Sequence, residues 1–110
     1  MPRGELLGSL EYLVLLALVR LGPDAYGMTV RREIEARAGR NLSIGAIYST
    51  LERLEAKGYV SSRTGAPTAE RGGRAKRHFQ IETDGVRALK VSEDAIRRMS
   101  AGLRRRWENA

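Results

Sequence analysis

The chain has 110 residues, enough for one domain with a real core and too few for two. Its formal net charge of +7 and sequence pI of about 10.5 favour an anionic partner, nucleic acid first and an acidic membrane surface second. The absence of cysteine excludes disulfides and thiolate metal sites, and a single histidine, His78, builds neither a catalytic pair nor a multi-histidine site. No enzyme, metal or cofactor is expected. The longest apolar run, Leu13 to Val19, falls far short of the roughly 20 residues of a membrane span. Glu11 and Arg20 bracket that run and no cleavage-like stretch of small residues follows, so a cytoplasmic protein is expected.

Met1 to Leu7 reads as a frayed arm, with Arg3 a phosphate contact in the alternative reading. A first helix is predicted from about Ser9 to Leu21, stopped by Gly22-Pro23. Leu10, Tyr12, Leu13, Val14, Leu15, Leu16, Ala17, Leu18 and Val19 leave it almost no polar face. Such a helix must be covered on more than one side, so part of it, Leu13 and Leu16 included, is expected to meet a second subunit. A second helix is predicted from Asp24 or Ala25 to Ala38, ended by Gly39, with Tyr26, Val30 and Ile34 inward and Arg31, Arg32, Glu35 and Arg37 outward.

After the short turn Arg40-Asn41-Leu42, the stretch Ser43 to Gly58 carries both ends of a third helix. Ser43 is its N-cap, Leu42 and Ile47 fall at the staple positions, and Gly58 is a left-handed stop with Tyr59 packing back on Leu54. Ile44, Ile47, Leu51 and Leu54 form the inner stripe. The opposite face carries Gly45, Ser49, Glu52, Arg53 and Ala56, with Tyr48 and Thr50 on the flanks. It is small at its start and polar along its length, so its first turns can approach a nucleic-acid groove closely. An ordinary amphipathic helix with a solvated face has the same pattern. Two helices, a tight connection and a third helix of this kind make helix-turn-helix order.

The period then changes. Tyr59 to Arg63 and Arg77 to Ile81 read as two strands around a Gly-, Pro- and Thr-rich loop, Thr64 to Gly73. A hairpin directly after the reading helix is a wing. Its tip and second arm hold Arg71, Arg74, Lys76 and Arg77, with Glu70 the only acid nearby, a composition suited to lying along phosphates. Thr83 is expected to cap a last helix running to about Trp107. Its apolar positions are Val86, Leu89, Ile96, Met99, Leu103 and Trp107, and Ser92 occupies the heptad slot where an apolar residue is missing. A seam over about three heptads on a helix of about 35 Å predicts pairing with a second copy. Packing of the stripe on its own domain, around Val86 above all, is the alternative.

With this element order the chain resembles the PadR family, bacterial winged-helix transcriptional regulators named for the phenolic acid decarboxylase repressor. The residues that carry the resemblance are Tyr26-Gly27, Leu42 through Leu51, Leu54 through Val60, the basic Gly-Gly-Arg at 72 to 74, and His78-Phe79-Gln80-Ile81 before Thr83-Asp84-Gly85. Ile47 replaces the family's usual Leu, and Ser49 its usual Pro, which alters the surface offered to bases. Phe79 and Ile81 stand for the strand's aromatic and Leu, and Glu82 is added before Thr83. The short C-terminal part resembles the small subfamily with a single dimerising helix.

The resemblance implies a homodimeric repressor on a palindromic, double-stranded operator, with a small-molecule effector at the dimer interface in some small members. There, tryptophans on the last helix sandwich the ligand. Here the only tryptophan, Trp107, lies near the end of the chain rather than midway along the helix, and the end of the seam accounts for it equally well.

The expected fold is mainly α with a small β-hairpin: a winged helix-turn-helix over residues 1–82 and a dimerisation helix over 83–110. Tyr48, Ser49 and Arg53 are expected at the major groove or its phosphates, Ser43, Gly45 and Ala46 at the close approach, and Arg71, Arg74, Lys76 and Arg77 on flanking backbone. Leu13, Leu16, Leu89, Ile96, Met99, Leu103 and Trp107 are expected at the dimer interface. One rival, a winged helix used for protein interaction, predicts an acidic or neutral wing. The other, a sequence-independent nucleic-acid binder, differs only in its specificity ratio.

Overall fold

The computed structural model describes residues 6–65 and 76–108, apart from the Arg104 side chain. Helix α1 spans Ser9–Leu21 and a 3₁₀ turn, Gly22–Asp24, follows it. Helix α2 is Gly27–Ala38 and α3 is Ile44–Ala56. Strands β1 (Val60–Thr64) and β2 (Arg77–Ile81) pair antiparallel, Val60 opposite Ile81 and Thr64 opposite Arg77. Helices α4 (Thr83–Ser100) and α5 (Arg104–Glu108) complete the order.

One core lies where the first three helices and the sheet meet. Val14, Leu15 and Leu18 come from α1, Val30 and Ile34 from α2, Ile47, Leu51 and Leu54 from α3, and Val60 and Phe79 from the strands. The apolar stripe expected on α3 is inward except at Ile44, which opens the first turn and is partly exposed. Leu42 packs on the core beside the helix entry, as the staple requires. The helix end is a Schellman motif. Tyr59 N–H reaches the Leu54 carbonyl at 3.0 Å and Gly58 N–H the Glu55 carbonyl at 3.0 Å, with Gly58 at φ +79°.

The second helix begins later than the sequence predicts. Ala25 and Tyr26 are extended and lie against the wing, with the Ala25 carbonyl accepting from Phe79 N–H at 2.9 Å and Tyr26 bridging to His78. This contact competes with helix formation at those two residues. The Thr29 hydroxyl instead closes the helix start, accepting from Tyr26 N–H at 2.9 Å.

The largest departure is in the last helix. Thr83 is the first helical residue rather than the cap. The cap position belongs to Glu82, whose carboxylate accepts from the Ser61 hydroxyl at 2.5 Å and from the Gln80 amide at 3.1 Å. The helix does not reach Trp107. Ala101 is extended and Gly102 is left-handed at φ +78°, so α4 ends at Ser100 and a short turn leads into α5. A glycine loses more backbone freedom in a helix than any other residue, and an exposed Gly102 has no packing partner to compensate.

The seam is divided as well. Ser92 is only 1% exposed and its hydroxyl accepts from Leu7 N–H at 3.0 Å. With Ala88 it faces its own domain, where α4 meets α1, while Gly85 sits against Tyr59 and Ile81 and Leu89 leans on the same core. Beyond Ser92 the side chains emerge: Met99 is 79% exposed, and Ile96, Leu103 and Trp107 are open too. No helix among the described residues is long and apolar enough to cross a membrane.

Candidate nucleic-acid interface

The outer face of α3 is built by its cap and by what its inner face must bury. Ser43 Oγ accepts from Ala46 N–H at 3.1 Å and frees the helix to start in the open. Gly45, Ser49, Glu52, Arg53 and Ala56 are exposed, and Ala46 is half-buried behind them. Thr50 turns the other way. It is 1% exposed and its hydroxyl donates to the Ala46 carbonyl at 2.8 Å. Apart from Ile44, the first two turns therefore present a low outer surface of small residues, as a helix entering a major groove needs.

Tyr48 is placed differently from the sequence expectation. Its ring sits over Gly27 at the head of α2, so close that a Cβ on Gly27 would lie 2.5 Å from it. It meets Phe79 edge-on at 6.4 Å between centroids. Burial of the ring in the notch left by Gly27 outweighs exposure at the front of α3. Tyr48 thus fastens α2 and the wing to α3.

Arg53 on α3 and Lys57 at its end share a partner. Arg53, with its side chain 53% exposed, reaches Glu11 Oε2 through Nε at 3.4 Å and lies 3.5 Å from Thr50 Oγ1 through Nη2. Lys57 Nζ meets the same Glu11 oxygen at 3.0 Å. Glu11 is an acid in an otherwise apolar helix and is only 7% exposed. Burial works to raise its pKa, but the Lys57 ammonium, the Gly8 N–H and the Arg53 guanidinium outweigh it and hold the carboxyl below the ordinary range. Sequence reasoning gives Glu11 no role in the site. An acid near the start of a helix that is otherwise almost wholly apolar is the signal that could have found it.

The wing's second arm is drawn toward the body. Arg77 bonds Glu55 through Nη2 at 2.5 Å and Ser62 through Nε at 3.2 Å, comes within 3.6 Å of Glu52 through Nη1, and lies over the Phe79 ring. Two acids of α3 thus compensate a cation expected on the flanking DNA backbone. Lys76 stands 3.7 Å above the Tyr26 ring. Arg71 and Arg74 lie outside the described residues. Arg32 and Arg40 near the entry to α3, and Arg63 on β1, are exposed with no acid paired to them among the described residues. Arg31 is spent on the α2–α3 turn, donating to the Leu42 carbonyl at 2.8 Å.

The expected association residues lie on another side. Leu13 and Leu16 line shallow hollows on α1, one shared with Tyr12 and Ile96 and one with Ile34 and Arg37. Ile96, Met99, Leu103 and Trp107 line an open apolar groove of about 320 Å³ with Leu6 and Ala95. Of these residues, Leu13 and Leu89 also pack, partly buried, against the chain's own core.

A three-helix head whose third helix is capped, bare at its start and followed at once by a two-stranded wing is a winged helix-turn-helix. The model of the PadR-like family of transcriptional regulators matches residues 15–91, and the chain belongs to that family. It is accordingly a DNA-binding transcriptional regulator and not an enzyme.

Solved structures share the fold. A PadR family transcription regulator from hypervirulent Clostridium difficile aligns with a TM-score of 0.73 at 18% identity over 89% of this chain and 97% of that one. A PadR-like transcription factor from Bacteroides fragilis aligns at 0.72, with 22% identity over 83% and 82% of the two chains. A PadR family transcriptional regulator from Eggerthella lenta aligns at 0.68, with 23% identity over 89% and 83%. No curated protein matches the chain.

Proposed function

We propose that the chain is a homodimeric repressor that reads a palindromic operator through α3, with residues 1–82 as the reading domain and 83–110 as the association arm. The observation that carries this reading is the bare first half of α3, where Gly45 and Ser49 are exposed in front of half-buried Ala46, with Arg53 one turn beyond Ser49 as its long cation. Arg32, Arg40 and the wing cations Arg71, Arg74 and Lys76 hold the flanking phosphates. A second copy covers the groove of Ile96, Met99, Leu103 and Trp107 together with Leu13 and Leu16, and a small apolar effector entering that groove releases the DNA. Repression itself rests on the family resemblance.

Selection of bound sequences from a random double-stranded pool tests the reading. The wild type recovers an inverted repeat with half-site centres roughly 34 Å apart. Arg53→Ala costs on the order of 1–3 kcal/mol and relaxes one position of each half-site. A uniform loss across sequences would mark Arg53 as a phosphate contact. An unchanged affinity would mark it as held by Glu11 and idle. Recovery of no repeat by the wild type defeats operator reading and leaves a sequence-independent binder.

A further inference from the structure

Glu11 lies on α1, yet its carboxylate ends among the cations of α3. Oε1 faces the Gly8 N–H at 3.4 Å, while Oε2 takes Lys57 Nζ at 3.0 Å and Arg53 Nε at 3.4 Å. A guanidinium is a planar fork whose five N–H groups are fixed relative to one another. Holding Nε therefore fixes the direction of the other two nitrogens. The second hold is Thr50 Oγ1, 3.5 Å from Nη2, and Thr50 is itself anchored to the Ala46 carbonyl at 2.8 Å. Among the described residues nothing engages Nη1, and the side chain is half exposed. The inner edge of Arg53 is tied to the protein and its terminal fork is left for something outside.

We propose that Glu11 is a positioning residue for operator reading, holding Arg53 by Nε so that its terminal fork meets a base edge instead of swinging to the nearest phosphate. This rests on the reading of Arg53 given above. A guanine edge offers O6 and N7 side by side and takes two parallel N–H bonds, so direction decides whether the contact is made. A phosphate accepts a cation from many directions. An untethered Arg53 would still bind DNA, but less selectively.

Charge gives the test its sign. If Glu11 only fastens α1 to α3, removing its charge loosens the head and weakens binding to every sequence alike. If it positions Arg53, Glu11→Gln removes one negative charge beside the DNA and releases a cation to the backbone. Affinity for random DNA then rises, and the log–log salt dependence steepens by about 0.9 for each further phosphate that is neutralised.

The experiment compares wild type, Glu11→Gln, Arg53→Ala and the double variant. Each is assayed on the selected operator and on random duplex at several salt concentrations, and each goes through its own random-pool selection. The expected result is a specificity ratio about tenfold lower in Glu11→Gln, lost at the half-site position that Arg53→Ala relaxes. In the Arg53→Ala background Glu11→Gln has no further effect on that position. Glu11→Asp, which keeps the charge but shortens the reach, gives the same loss of preference and serves if Glu11→Gln does not fold. Full retention of preference in Glu11→Gln, or equal weakening on operator and random DNA, overturns the positioning role while leaving Arg53 as reader. An unchanged selection by Arg53→Ala overturns the Arg53 reading and the Glu11 inference with it.

Discussion

Side chains at the front of this domain are decided by what lies beneath them. Tyr48 follows Ile47 on the helix and is expected from spacing on a flank of the reading face, but the gap over Gly27 takes its ring. Gly27→Ala should therefore destabilise the fold by about 1–3 kcal/mol through overpacking, a fall in Tm of about 4–8 °C per kcal/mol for a domain of this size. Thermal melts of Gly27→Ala with and without Tyr48→Ala check this. The second change should recover part of the loss, since it removes the ring that a new Cβ meets. Glu11 gives a pH signature. Its folded pKa lies below the ordinary carboxylate value of about 4.3, so its stabilisation is present above that value and lost as pH falls through the folded pKa. Glu11→Gln should cost on the order of 1 kcal/mol at pH 7, because the partners it releases are partly solvated. In denaturant titrations from pH 7 to pH 3 the gap between wild type and Glu11→Gln should narrow as pH falls below the ordinary carboxylate range. Neither residue's true neighbours are readable from local spacing, because Tyr48 meets Gly27 and Glu11 meets Arg53 and Lys57 only once distant segments have folded together.

Helix starts and ends are legible where chemistry is local and illegible where a tertiary contact competes. Ser43 caps and Gly58 stops α3 as their types predict, because both devices act within a few residues. Thr83 is a credible cap by type, but Ser61 and Gln80 hold the Glu82 carboxylate, and the helix starts at Thr83 itself, one residue earlier than a Thr83 cap would place it. Gly102 is visible in the sequence, yet the apolar stripe on either side of it suggests a continuous helix. The junction of wing and reading helix carries its own prediction. Arg77 compensates Glu55 and Glu52 beside the proposed DNA face. Arg77→Ala should weaken binding to all sequences, because it leaves two carboxylates facing phosphates, while changing stability by no more than about 1 kcal/mol. Adding Glu55→Gln to Arg77→Ala should restore much of the affinity. Fluorescence titrations on operator and random duplex check both steps, and failure of the added change would make Arg77 a direct DNA contact.

At the scale of the molecule, two apolar surfaces left open among the described residues support the proposed pairing with a second copy. Composition alone points to this through the first helix, whose apolar residues go all the way round. The last helix points the same way for a reason that needs amending: its first half packs on its own domain through Ala88 and Ser92 although Val86 is exposed, and Ile96, Met99, Leu103 and Trp107 remain outside. These four form a groove with Leu6, and Ile96 continues it toward Leu13 and Leu16. A contiguous apolar surface of this kind marks an interaction site in a water-exposed protein. Sedimentation at micromolar concentration should give a species of twice 12.2 kDa. Met99→Glu places a charge at the most exposed apolar position and should shift the equilibrium to monomer while leaving the fold of each head intact, since Met99 contributes nothing to its own core. Loss of the dimer converts two linked contacts into single ones, so affinity for the full operator should drop by roughly 10²–10⁴-fold. Affinity for an isolated half-site should stay as it was. A Met99→Glu monomer that binds the full operator as tightly as wild type would show that the two reading helices act independently, and that the α4–α5 groove serves something other than pairing on DNA.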